Sequence, residues 1–498
     1  MEPTSFYWYD YETFGVRPKY DRPAQFAGIR TGLDLVPQPG SRDVWYAKPS
    51  EDYLPSPESC LLTGITPQLC EERGMRESEF ALNIWHRLNE PGTVSIGYNT
   101  LGFDEEVSRF LFWRNFLDPY AHSWANGCSR WDLFPLTCAV WALRGTGIEW
   151  PLWEKLDPLR FPQAAVRQGV CFKLECLTEA NGIRHSHAHD AMSDVEATIG
   201  LARLIREKEP RLWDWAFRNR TKASILRAIE GGRPVVWVSP RLGAACGYTQ
   251  IAACIHQDKN DLYLWDLRFD PEELRTSSLE DLALRFLSSP RNLPEGTQPL
   301  PIRKVKANAS PFICASLKVL SPDRAERYGI DVAQALRNAS KIPEILPLVS
   351  GLMRDLTEAR STSQADAPAL DPDFSLYAGG FPTDADRARM RQVRDADPQQ
   401  LAALNLKFDD PRYGSLLFRY RARNWPETLS KSEQDLWREH CRRRILRGEE
   451  PSMLSIERYF DAIDEAQMSG QYDSEESQLM LETLYAWGER VGEACSED

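Results

Sequence analysis

The stretch FYWYDYETFG, Phe6 to Gly15, decides how the rest of the chain is read. Its aromatic run favours a strand, predicted over Thr4 to Tyr11, and a strand sends alternate side chains to the same face. Asp10 and Glu12 then point together into one pocket, while Tyr9 and Tyr11 point the other way. Two acids side by side repel each other and lose hydration. A divalent cation between them resolves that conflict.

Working outward, further strands are predicted near Gln25 to Thr31, Asp43 to Lys48 and Val94 to Tyr98, with a helix over Leu82 to Leu88. After GFDEE, the residues Val107, Phe110 and Leu111 recur at helical spacing, and Met192, Val195, Ile199, Ala202 and Ile205 form another helical stripe. Alternating strands and helices predict an α/β domain with a mixed sheet over residues 1–208. A helical stretch from Arg211 to Ile229 follows. Short β-rich segments at Pro234 to Val238, Ile251 to Ile255 and Asp261 to Leu267 predict a small β-barrel-like domain, and helices over Ala325 to Arg337 and Ile342 to Leu356 complete residues 209–358. The polar segment RSTSQADAPALD reads as a linker, taken over 359–371. Beyond it, 372–498 predicts a helical bundle: Asp384 to Asp395, Tyr413 to Asn424, Ser432 to Arg447, Met453 to Gln467 and Glu475 to Val491.

The length, 498 residues, suits about three domains. A formal charge of −13 excludes a basic coat for nucleic acid, although a local groove and bound metal still grip phosphates. The 11 cysteines are scattered, odd in number and without CxxC pairs. Cys171 and Cys176 lie near a His-rich stretch but lack the second pair a zinc site needs, so reduced thiols are expected. The N-terminus has no basic region followed by an apolar one, and no apolar run approaches the roughly 18 residues of a membrane span. A soluble, cytoplasmic protein is expected.

Four acids and one histidine carry the chemistry. Asp10 and Glu12 sit on the first strand, Asp104 where a buried strand gives way to a helix, and Asp194 in the first turns of a later helix, with His189 five residues before it. Phosphodiester hydrolysis needs a deprotonated water and a stabilised leaving oxygen, which two Mg²⁺ ions about 4 Å apart supply. Mg²⁺ takes oxygen ligands, hence carboxylates and no thiols, and Mn²⁺ can substitute. His189, titrating near neutrality, is the candidate general base. Simpler roles exist for single residues. Asp104 reads as a helix N-cap when taken alone, Asp190 as a cap, and His185 and His187 as solvated loop residues.

These residues, in this order, resemble the DEDDh branch of the DnaQ-like 3′→5′ exonucleases. Longer segments, DYETFG, DRPAQFAGIRT, GYNTLGFDEEVSRFLFWRNFLDPYAHSW, ANGIRHSHAHDAMSDVEATIGLARLI and LLFRYRARNWPETL, are similar to the bacterial exodeoxyribonuclease I family over nearly the whole chain. The resemblance implies a ribonuclease H-like exonuclease domain, an SH3-like β-barrel domain and an α-helical C-terminal domain, closing around single-stranded DNA. It implies processive, Mg²⁺-dependent release of 5′-mononucleotides from a 3′ end in DNA repair and recombination. By position, Asp10, Glu12, Asp104 and Asp194 match the metal acids and His189 the base. Lys173 stands where well-known members carry a substrate-binding Arg; a Lys binds phosphate without the bidentate fork. Arg109, Tyr120, Trp124, His187 and Lys222 match positions along the DNA path. The family also binds the acidic C-terminal tail of single-stranded DNA-binding protein, with Arg327 and Arg337 in the corresponding neighbourhood. A monomer is expected.

Single strands are gripped by basic groups on phosphates and aromatics under bases. Arg109 to Trp131 interleaves the two types, with a minority of its aromatics expected on DNA and the rest in the core. Glu12, Thr13, Phe14 and the segment Thr63 to Thr66 are expected to shape the slot for the terminal nucleotide. The cluster Arg442, Arg443, Arg444 reads as a solvated face. Two other functions compete: a 3′→5′ exonuclease acting on RNA, since the five residues do not read the sugar, and a non-catalytic scaffold, against which the intact set of five residues argues.

Overall fold

Strand β1 (Ser5–Thr13) is buried along nearly its whole length and organises the first sheet. It pairs antiparallel with β2 (Pro23–Gly32), which pairs antiparallel with β3 (Pro37–Tyr46), and it pairs parallel with β4 (Thr93–Gly97). The sheet is therefore mixed, in the order β3-β2-β1-β4. Tyr7, Tyr9 and Tyr11 pack with Phe26 against Phe80, Ile84 and Leu88 of the helix Glu77–Asn89 and Val107 and Leu111 of the helix Asp104–Arg114. That aromatic face anchors one side of β1 and leaves the alternate positions, Asp10 and Glu12, to the other.

The structure is a computed structural model describing residues 2–185, 190–362 and 370–496. It divides into two compact units: residues 1–129, 185–196 and 369–498, and residues 130–184 with 197–368. In the first unit the sheet shares its core with C-terminal helices. Phe110, Trp113 and Phe116 pack with Leu376, Met390, Tyr413 and Tyr420. Leu54, Cys60, Ile65 and Cys70 pack with Tyr459, Ile463, Leu481, Leu484 and Trp487. Strand β5 (Ser129–Asp132) starts at the last residue before the boundary.

The second unit carries an antiparallel sheet of five strands, β6 (Pro234–Val238), β7 (Thr249–Asp258), β8 (Asp261–Asp266), β9 (Ile302–Lys306) and β10 (Phe312–Cys314), ordered β10-β6-β7-β8-β9. Ile225 and Ile229 cover its core residues Val235, Trp237, Leu262 and Leu264. Among the described residues no helix is long and apolar enough to cross a membrane.

Several expectations change in detail. The helix read over Arg211 to Ile229 is two, Pro210–Arg218 and Lys222–Ile229, because Thr221 caps the second by accepting from the Ser224 amide at 3.3 Å. The helix over Ala325 to Arg337 also splits, at Gly329, whose φ is 64°. The helix Ile342–Thr362 runs into the first residues of the stretch read as a linker, and residues 363–369 lie outside the described residues. The helix expected over Ser432 to Arg447 ends at Cys441 and continues as a single π turn, Arg442–Leu446.

That turn corrects the reading of a solvated face at Arg444, while Arg443 is exposed as expected. Arg444 is buried and bonds Asp52 at 2.6 Å, Asp373 at 2.8 Å and Asp371 at 2.9 Å. Arg423 joins the same cluster, 2.7 Å from Asp52 and 2.5 Å from Asp373. Burial alone would raise the pKa of Asp52 and Asp373; Arg423 and Arg444 outweigh it and hold both carboxyls well below the usual range. Breaking such a cluster from one side strands a buried charge. Asp373→Ala should therefore cost about 3–5 kcal/mol. Thermal melting followed by circular dichroism should show a clear drop in Tm; an unchanged Tm would contradict the clamp.

Candidate active site

The register of β1 against its neighbours sets the site. Asp10 pairs with Ala27 and Glu12 with Gln25, and a bulge falls between Glu12 and Thr13. On the other edge β1 pairs with β4 only from Ser5↔Thr93 to Trp8↔Ile96, and β4 ends at Gly97. Gly97 is required there, because a Cβ would sit 2.7 Å from the Tyr9 carbonyl oxygen and 2.2 Å from Thr100. Beyond that end the Tyr11 N–H has no strand to donate to, and it donates to Asp104 Oδ1 at 3.1 Å instead. Asp104 is the first residue of its helix, and Phe103 holds the cap position. The N-cap role read for Asp104 alone is thus not the one it plays.

Asp194 arrives on the helix Ala191–Lys208. Asp190 caps this helix as expected, accepting from the Ser193 N–H at 2.9 Å. The Ala191 N–H donates to Gln25 Oε1 at 3.3 Å. Gln25 lies directly across from Glu12, so the start of the helix is tied to the strand position that faces the site. Gln25 Nε2 in turn donates to the Tyr46 hydroxyl at 2.8 Å. The outcome is that Asp10, Glu12 and Asp194 each offer a carboxylate oxygen within 4.8 Å of the others.

Such a cluster is electrostatically loaded. Burial, then Asp104, Asp194 and Glu12, push the Asp10 carboxyl well above its ordinary value. Burial, then Asp194 and Asp104, push Glu12 from 4.5 up to about 9. Oxygen donors alone, crowded and short of compensating charge, are the donor set of a hard divalent cation. The residues present fit such an ion.

His189 and His187 lie outside the described residues. His185, read as a solvated loop residue, is not one: its side chain is 6 % exposed and its Nε2 lies 2.5 Å from Asp194 Oδ1. Sequence reasoning missed this residue and Gln25. The signal for Gln25 was an amide in the otherwise apolar run PAQFAGI; for His185 the sequence offered only its place in a His-rich loop.

The substrate-contact candidates fall in both units. In the first, Thr13 is buried and its hydroxyl donates to the Gly15 carbonyl at 2.6 Å, while Phe14 lies in the core. Trp124 is 70 % exposed and Tyr120 half-buried, whereas Phe112, Trp113 and Phe116 are core. Arg109 is largely buried, with its guanidinium 5.3 Å from the Tyr120 ring. In the second, Lys173 Nζ bonds Glu175 at 3.0 Å, and Lys222 Nζ bonds Asn260 Oδ1 at 2.6 Å and the Lys259 carbonyl at 3.1 Å. Cys171 and Cys176 are buried free thiols in one apolar cluster, and Arg327 and Arg337 lie on exposed helix faces.

Comparison with known families agrees with this architecture. An exonuclease family model matches residues 7–202, an exonuclease I SH3-like domain model matches 218–353, and an exonuclease I C-terminal domain model matches 370–491. The chain is 38 % identical over 498 residues to exodeoxyribonuclease I of Escherichia coli (strain K12), covering 98 % of each. A crystal structure of E. coli exonuclease I in complex with a dA16 oligonucleotide has a TM-score of 0.86 and 37 % identity, covering 98 % of this chain and 100 % of that one. A zinc-bound E. coli exonuclease I–single-stranded DNA complex has a TM-score of 0.84 and 36 % identity, covering 99 % and 100 %. The three-part fold class expected from the sequence stands: an exonuclease domain on a mixed sheet, an SH3-like domain and a helical C-terminal domain.

The raised carboxyls make stability depend on pH. Without metal, the folded chain binds more protons than the unfolded one above the ordinary glutamate value, so stability falls as pH rises from 4.5 to about 9. In EDTA, Tm should decline across that window, and Glu12→Gln should flatten the decline. Added Mg²⁺ should raise Tm most at the alkaline end, where the acids are free to bind it. A pH profile identical with and without metal would contradict the site.

Proposed function

The chain belongs to the exodeoxyribonuclease I family, and from that premise we propose that it is a processive 3′→5′ exonuclease that degrades single-stranded DNA to 5′-mononucleotides. The observation that carries the reading is the convergence of Asp10, Glu12 and Asp194 within 4.8 Å, with Asp104 bonded to the same strand. Asp10, Glu12, Asp104 and Asp194 would hold two Mg²⁺ ions, or Mn²⁺ in their place. Bound there, the ions would supply an activated water and neutralise charge on the scissile phosphate.

The protein's own groups do the rest. His189 serves as general base, taking the proton of the attacking water. Thr13 and the end of β1 shape the slot for the 3′-terminal nucleotide, where a continuing strand would clash. Lys173 and Lys222 neutralise phosphates, Arg109 pairs with a phosphate, and Tyr120 and Trp124 stack under bases. The exposure of Trp124 supports its part in this.

In this reading the exonuclease domain spans 1–208, the SH3-like domain 209–358 and the helical domain 372–498. The enzyme acts as a cytoplasmic monomer in DNA repair and recombination, and its eleven free cysteines suit a reducing compartment. Its partner is the acidic tail of single-stranded DNA-binding protein, and Arg327 and Arg337 offer positive charge for it.

Linear single-stranded DNA with Mg²⁺ should be digested from its 3′ end, while circular single strands resist. Efficient cutting of circles would overturn the exonuclease assignment, and equal digestion of a matched RNA oligonucleotide would overturn the preference for DNA. Asp10→Asn and Asp194→Asn should each lower kcat by about 10³-fold, the scale of losing one preorganised electrostatic group. Full activity in Asp194→Asn would remove that residue from the site.

A further inference from the structure

Asp104 and Glu105 are adjacent acids with opposite destinations. Asp104 turns to β1, whereas Glu105, the next residue of the helix, is fully buried among other partners. There its carboxylate meets two cationic or donor groups. His122 Nε2 lies 2.9 Å from Oε2 and 3.1 Å from Oε1, and Arg109 Nη2 lies 3.0 Å from Oε1. His122 is itself fully buried, on the short turn Ala121–Ser123, with its ring edge-on to Phe112 at 5.9 Å. Among the described residues its Nδ1 has no hydrogen-bond partner, so the ring's polar contact runs through Nε2 to Glu105.

The other terminal nitrogen of Arg109, the residue proposed above to meet a phosphate, is also engaged. Its Nη1 bonds Glu106 at 3.0 Å and the Tyr377 hydroxyl at 3.2 Å, and its guanidinium lies over the Tyr120 ring. Arg109 sits four residues after Glu105, the helix spacing at which acid and base meet. A long arginine side chain that must be ordered on binding loses affinity; one ordered beforehand does not.

We propose that Glu105 and His122 are positioning residues that preset the Arg109 guanidinium for the DNA strand: His122 fixes the Glu105 carboxylate, and Glu105 fixes Arg109. This rests on the exonuclease reading, since it assigns Arg109 to DNA. Neither Glu105 nor His122 is among the acids that converge on the candidate cation site, so loss of the pair should weaken DNA capture without slowing the chemistry.

The test uses the full chain with a single-stranded oligonucleotide. His122→Phe keeps the ring packing and removes the nitrogen; His122→Gln restores a donor to Glu105. His122→Phe should raise KM about tenfold with kcat within about twofold, and His122→Gln should recover most of the loss. Mn²⁺ affinity should match wild type in both. Glu105→Gln, which weakens both contacts without emptying the space, should also raise KM, and it decides the matter if His122→Phe does not fold. An unchanged KM in the folded variants, or a fall in kcat with lost Mn²⁺ binding, would overturn the proposal. Metal-free DNA binding separates the two claims. A wild-type protein that binds the strand but never digests it would sink the exonuclease reading, and the variants' binding constants would then judge the positioning role.

Discussion

Three carboxylates held within 4.8 Å of one another are a source of repulsion, and the first unit is arranged to withstand it. Asp10 and Glu12 have lost water, and the neighbouring carboxylates raise the cost of ionising both. Among the described residues no arginine is ion-paired with these acids, unlike at Asp52 and Asp373. Both clusters are buried acids. One is neutralised permanently by guanidinium groups, and the other keeps the raised Asp10 and Glu12 carboxyls for an ion that can come and go. The contrast separates a structural use of buried aspartate from a chemical one.

Holding the acids together is a matter of backbone register more than of side-chain attraction. The tyrosine face of β1 fixes which way Asp10 and Glu12 point. The early end of β4 frees the Tyr11 N–H, and that donor draws Asp104 to the strand. Gln25, opposite Glu12, ties down the first amide of the helix that carries Asp194. Asp190 caps the same helix. Each of these is a modest hydrogen bond, yet together they locate segments up to 184 positions apart in sequence, from Asp10 to Asp194. The helical C-terminal residues add rigidity from behind, through aromatic packing on Phe110, Trp113 and Phe116.

Much of this was legible in the residues themselves. Period-2 alternation in FYWYDYET gave the face shared by Asp10 and Glu12, and helical spacing gave the elements that carry Asp104 and Asp194. The C-terminal helices emerged with boundaries close to those observed, because their apolar periodicity is strong. What stayed hidden depended on contacts distant in sequence. Nothing local marks Gln25 as a tether for a helix more than 160 residues later, or Arg444 as buried rather than solvated. A run of three arginines looks the same whether it meets water or aspartates. The split at Thr221 was local but subtle, since a threonine cap inside a continuous apolar stripe leaves the period intact. His185 was misjudged because its environment is made by Asp194, not by its neighbours in the chain.

The site depends on these acids forming one cage for divalent ions. Anomalous scattering from a crystal soaked in Mn²⁺ addresses it without reference to activity. Strong density is expected between the Asp10, Glu12 and Asp194 carboxylates, at coordinating distance from each. Mn²⁺ bound elsewhere with that position empty, or no Mn²⁺ at saturating concentration, would contradict it.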